Sequence, residues 1–173
     1  ASASDNAYRR FLSWRRPFEV GFWILLTGSN FIGNSITTLM EIRRGQSDIL
    51  AWEPMVWELS SALVWLLVLL PMIVWFTRRF PLHWETWRRL LPWYLLASIV
   101  VSALHVAGMV GIRMLVYRWQ GMDYDFGPWG REFVYEYMKD FRSFVSIVAI
   151  IEGYRFVLRR WQGEASLLDA PDE

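Results

Sequence analysis

The chain contains no cysteine. That absence excludes disulfides, thiolate metal centres and cysteine nucleophiles. Histidine is almost missing too, with only His83 and His105, and Lys139 is the single lysine. No GxSxG, HExxH, Walker A, GxGxxG or paired-carboxylate metal box occurs. The phospho-acceptor histidine and nucleotide-binding motifs of a sensor kinase are also absent. A net charge of only +1 provides no global basic field for holding nucleic acid. The expectation is a protein with no catalytic activity of its own, no dedicated cofactor and no bound metal.

What the chain does have is apolar and aromatic surface. Its 173 residues are 54% hydrophobic and 17% aromatic, with 12 tryptophans, above the norm of a water-soluble domain. A membrane helix needs about 20 mostly apolar residues. Four segments meet that need, at about 18–40, 54–76, 91–117 and 132–158. The second is the most continuous; Pro54 suits its first turn, and Pro71 predicts a kink towards its end. The first is diluted by Thr27, Asn30, Asn34, Thr37 and Thr38, as expected of a helix packed on other helices. It is too long and too polar for a cleaved signal peptide.

Arginine distribution sets the expected topology. Arg9, Arg10, Arg15 and Arg16 precede span one, Arg78, Arg79, Arg88 and Arg89 join spans two and three, and Arg155, Arg159 and Arg160 follow span four. The other two connections hold only Arg43, Arg44, Arg118 and Arg131, diluted by acidic residues. Both termini are therefore expected in the cytoplasm. Trp14, Trp52, Trp75, Trp84, Trp87, Trp93, Trp119, Trp129 and Trp161 fall near the expected interfaces, as an aromatic belt requires. The predicted fold is an all-α, four-transmembrane-helix bundle with both termini cytoplasmic. Residues 1–16 form a cytoplasmic segment, 17–160 the membrane domain, and 161–173 a linker towards a cytoplasmic effector.

The candidate site begins with VYEYMKDFRSF, residues 134–144, which places Glu136, Lys139, Asp140 and Arg142 within span four. A charge at the bilayer centre costs about 2.5–3.5 kcal/mol on insertion scales, so such residues need partners or a water-filled cavity. At about 100° per residue, Glu132, Glu136, Lys139, Asp140 and Ser143 share one helix face. Arg142 points elsewhere, towards a carboxylate such as Glu58 on span two. This reads as a structural network between helices or as an outward-facing cavity that senses a small ligand, ion or proton. On span three, His105, Met109 and Arg113 follow at four-residue spacing. They read as an axial pair for haem or a copper site with Arg113 near a propionate, or as a packing stripe with Arg113 snorkelling outward. The packing stripe, with Ser98, Ser102 and Gly108, is the simpler reading. Asn30 and Asn34 are expected to donate hydrogen bonds between helices.

Six blocks carry a resemblance to a known family: RRPFEVGFW, NSITTLMEIRR, WEPMVWELSSALVWLL, FTRRFPLHW, HVAGMVGIRMLVY and YDFGPWGREFVYEYMKDFRSF. Together they resemble the N-terminal membrane domain of proteobacterial membrane-anchored LytTR-family transcriptional regulators, over roughly residues 10–160. The resemblance implies four membrane helices in the bacterial inner membrane, then a linker and a strand-rich cytoplasmic domain that binds promoter DNA, typically as a homodimer. No DNA-contacting or ligand residue is carried over by it. Function is thus expected to be sensory or regulatory, acting through helix packing or dimer geometry. The alternatives are a small membrane subunit of a respiratory or transport complex, with or without haem, and a membrane inhibitor that sequesters a separate regulator.

Overall fold

The computed structural model describes residues 3–45, 49–83 and 85–168. Among these the chain forms four helices and no strand: α1 (Ala3–Gly45), α2 (Trp52–Arg79), α3 (Trp87–Trp119) and α4 (Trp129–Leu168). Two of them, α2 and α3, are long and apolar enough to cross a membrane. Polar residues disperse the apolar runs of α1 and α4.

Two of the helices run continuously through the expected segment bounds. Helix α1 runs from Ala3 to Gly45 and passes Pro17 unbroken, so one helix carries both the described part of the expected cytoplasmic segment and span one. Arg15 and Glu19 bridge the proline, with Nε 2.7 Å from Oε1 at i,i+4 spacing. Likewise α4 continues through residues 161–168, where a linker was expected. The rest of that linker, 169–173, lies outside the described residues, as does Trp84 of the aromatic belt.

Pro71 acts one turn earlier than its own position. It has no N–H, and its ring would collide with the carbonyl four residues back in a regular helix. Residues Trp65–Leu69 instead form a π turn, in which the Leu70 N–H reaches the Trp65 carbonyl. The wider turn accommodates the proline within a continuous α2. It also sets the Trp65 ring beside His105, with centroids 5.5 Å apart.

Packing follows from small residues on α3. Ser98, Ser102 and His105 are buried, and Gly108 admits α2 so closely that a Cβ there would lie 2.9 Å from Val64 Cγ2. Val64, Leu69, Ile73, Tyr94, Val101, Phe144, Val148 and Ile151 form the main core between α2, α3 and α4. A smaller cluster, Val106, Met109 and Val110, is covered by Tyr124, Phe126 and Phe133. The connection from α3 to α4 reaches that position through Gly127, whose φ of 84° suits a residue without a side chain.

Large apolar side chains also cover the outside, and some polar ones lie inside. Leu25, Leu67, Leu115 and Phe156, one on each helix, are exposed, while Ser60, Thr77, Ser102, His105 and Asp140 are buried. Apolar surface outside and polar groups between helices is the arrangement that a lipid solvent favours, because interior polar groups then bond across helices.

Candidate functional site

At the end opposite the termini, the polar side chains interlock across α2, α3 and the α3–α4 connection. Tyr117 donates its hydroxyl to Glu53 Oε2 at 2.6 Å and accepts from the Trp57 indole at 2.8 Å. Arg113 donates from Nε to Ser60 Oγ, from one terminal nitrogen to Tyr124 Oη, and from the other to the Trp57 carbonyl, all at 2.8–3.0 Å. Its guanidinium also lies 5.7 Å from the Tyr124 ring centroid. Arg113 therefore points into the bundle and does not snorkel outward. The planar fork meets three fixed acceptors, which a solvated end would not supply.

One to two turns deeper lies a second node. Asp140, 3% exposed, accepts from Ser102 Oγ at 2.7 Å and from His105 Nδ1 at 2.9 Å through Oδ2. Its other oxygen, Oδ1, is 2.8 Å from the same nitrogen. His105 Nε2 is 2.8 Å from Ser61 Oγ, so the imidazole bridges α2 to α4. Each polar atom has a partner, which is what makes a carboxylate tolerable at such burial. Above this node Lys139 reaches Glu136 at 3.1 Å, one turn along α4, and lies 5.2 Å from the Tyr135 ring centroid.

The nodes open into a cavity of about 620 Å³ between α1 and the other three helices. Glu136, Lys139, Asp140, Arg142, Glu58, His105, Met109 and Arg113 all line it, so the α3 stripe and the α4 charges form one site. Helix α1 contributes Thr27, Asn30, Asn34, Thr37 and Thr38, the residues that diluted its apolar run. Cations (Arg113, Lys139, Arg142) and anions (Glu58, Glu136, Asp140) balance across its wall.

Several expected contacts are not formed. Glu132 lies outside the cavity and pairs with Arg131 at 2.9 Å at the start of α4, because one further turn of helix beyond Glu136 carries it past the cavity mouth. Arg142 does not pair with Glu58: both side chains face the cavity without an ion pair among the described residues. Asn30 donates to the Leu26 carbonyl of its own helix at 3.0 Å, and among the described residues it forms no interhelical bond. His105 and Met109 do not present a haem pair. They leave the same helix in the same direction, whereas axial ligands approach a macrocycle from opposite faces. Met109 is packed among Val106 and Val110.

Sequence reasoning missed the partners more than the charges. Nothing in spacing pairs Ser102 and His105 with Asp140, because these contacts join residues 35 and 38 positions apart. Tyr124 and the Trp57 carbonyl carry no signal at all in the sequence. The Glu58-Ser60-Ser61 cluster was the one available hint, and both serines bond to α3 residues.

At the terminal end a third node ties α1, α2 and α4. Glu19 Oε1 accepts from Arg15 and from Tyr154 Oη at 2.9 Å, and the Arg15 bond raises that guanidinium's pKa above its ordinary value. Arg155 binds Glu152 at 2.7 Å and both the hydroxyl and carbonyl of the fully buried Thr77 at 3.0 Å. A smaller cavity of about 240 Å³ lies beside this node.

No known protein family, curated protein or solved structure matches the chain.

Proposed function

We propose that this chain is a four-span, N-in/C-in domain of the bacterial inner membrane that senses a signal in its polar cavity. Its output is a movement of α4 passed to a cytoplasmic effector. The observation that carries this reading is α4 itself. Glu136, Asp140 and Ser143 face the cavity, and the same unbroken helix continues for 25 residues after Ser143, to Leu168. At about 1.5 Å per residue, 40 residues span about 60 Å, twice the hydrocarbon thickness of a bilayer. A shift of α4 at the cavity is therefore a shift of the helix beyond the membrane.

The resemblance to LytTR-family regulators supplies the effector class, a promoter-binding domain acting as a homodimer. A signal drives such a switch only through different affinities for two packings. The bonds from Asp140 to Ser102 and His105 are the contacts that such packings would exchange. In the native full-length gene, Glu136→Gln and Lys139→Met are expected to alter the same set of transcripts as deletion of the gene. Protein level in the membrane should stay at wild type. Transcripts unchanged by deletion, or by both variants, would refute the regulatory reading.

A further inference from the structure

The site around Asp140 has a composition that a sensor of protons or organic molecules does not need. His105, Glu136 and Asp140 each offer one donor atom, and these atoms lie within 4.8 Å of one another. Two bonds of about 2.0–2.2 Å on a common ion place donors at most about 4.4 Å apart. Neighbouring donors on a tetrahedral or octahedral ion lie about 3.0–3.5 Å apart, so the widest pair here closes by at most about 1.8 Å on binding. Nδ1 of His105 and the Asp140 oxygens are already 2.8–2.9 Å apart, the separation of neighbouring ligands at about 90°. Glu136 is the donor free to move, since only the flexible Lys139 side chain holds it.

We propose that His105 Nδ1, Asp140 and Glu136 bind a divalent first-row transition cation, with its remaining coordination positions open to the cavity. The assignment rests on the sensory reading above and gives the signal a chemical class. An imidazole nitrogen with two carboxylates suits Zn²⁺ or its neighbours in the series, not Ca²⁺ or Mg²⁺, which take oxygen ligands. The outer partners are also in place. Ser61 holds Nε2, and Ser102 holds Asp140, as hydrogen-bonded groups behind metal ligands commonly do.

The proton count closes without a further reactant. Without the ion, Nδ1 donates to Asp140 and Nε2 accepts from the Ser61 hydroxyl. With the ion, the Nδ1 lone pair goes to the metal, the proton sits on Nε2 and Ser61 accepts it. Lys139 is the placeholder cation: its ammonium neutralises Glu136 until the ion displaces it, and it then stays over Tyr135. Two carboxylates then balance the divalent charge. The ion joins α3 to α4 through three ligands and so favours one packing of α4 over another.

The test uses the full-length protein purified in detergent, stripped with a chelator and titrated with Zn²⁺, with Co²⁺ as a spectroscopic probe. One ion per chain is expected, with a Co²⁺ ligand-field spectrum that includes a nitrogen donor. Glu136→Gln, which keeps the size of a side chain at the cavity edge, should weaken binding at least about tenfold. Lys139→Met should tighten it, an effect that a purely structural lysine would not produce. No uptake by the wild type, equal affinity in Glu136→Gln, or weaker binding in Lys139→Met overturns the assignment. The two readings fail separately. Uptake without any transcript change refutes the regulatory role and leaves the ion site. A transcript change without uptake refutes the ion site and leaves the regulatory role.

Discussion

Gly108 is the point at which α2 and α3 touch most closely, and its replacement by alanine tests the packing directly. The new Cβ would stand 2.9 Å from Val64 Cγ2 and 3.1 Å from Cγ1. Carbon atoms at optimal separation are about 3.5–4.0 Å apart, so the approach is short by about half an ångström or more on both methyls. Val64 is buried, and a β-branched side chain in a helix has one strongly preferred rotamer, so it cannot turn aside. The helices must part instead, which costs about 1–3 kcal/mol for overpacking of this kind. Separation here would also stretch the Ser61–His105 and Arg113–Ser60 bonds, which cross the same α2–α3 seam. Reversible unfolding in mixed micelles, followed by tryptophan fluorescence, measures the loss. The decisive comparison is the double variant with Val64→Ala. With both methyls gone, Gly108→Ala should be neutral or stabilising, since alanine is favoured over glycine within a helix by about 1 kcal/mol. A coupling of at least about 1 kcal/mol between the two positions is therefore expected. If the two changes add within about 0.5 kcal/mol, the contact does not set the helix separation and the reasoning fails.

Arg113→Met removes three hydrogen bonds and frees Tyr124, so a destabilisation of about 1–3 kcal/mol is expected. Faster hydrogen exchange at residues 120–128 should accompany it, and unchanged exchange there would contradict the inward-pointing arginine. The absence of native cysteine makes topology simple to test. Asp123→Cys should react with a membrane-impermeant maleimide on intact spheroplasts, whereas Glu85→Cys and Gln162→Cys should react only after lysis. Labelling of all three in intact spheroplasts would overturn the N-in/C-in arrangement.

Helix existence was legible from composition, because about 20 apolar residues in a row leave few other structures. Helix ends were not. The expected segment bounds at 16/17 and 160/161 coincide with no helix end: α1 and α4 run on through them, with the Arg15–Glu19 pair bridging Pro17. Pattern reasoning follows apolar runs and cannot register a helix that continues on polar residues. Pro71 was read as a kink, and its effect emerged as a π turn that sets Trp65 against His105.

The charges of the candidate site were visible in the sequence, since Glu136, Lys139, Asp140 and Arg142 contradict the apolar context in which they stand. So was the Glu136–Lys139 pair, which depends only on the i,i+3 geometry of one helix. The partner of Asp140 was not, because His105 and Ser102 come from another helix and reach it only through the close seams that small α3 residues permit. Nor could the sequence separate Glu132 from the site or deny Arg142 its expected partner Glu58, since a helical wheel gives direction around an axis but not depth along a neighbour. By itself the sequence determined that this chain is helical, rich in membrane-like apolar segments, and burdened with charges that need an explanation. Tertiary structure alone decided that His105, Glu136 and Asp140 meet in one cavity, because which faces of separate helices come together depends on packing that no local periodicity encodes.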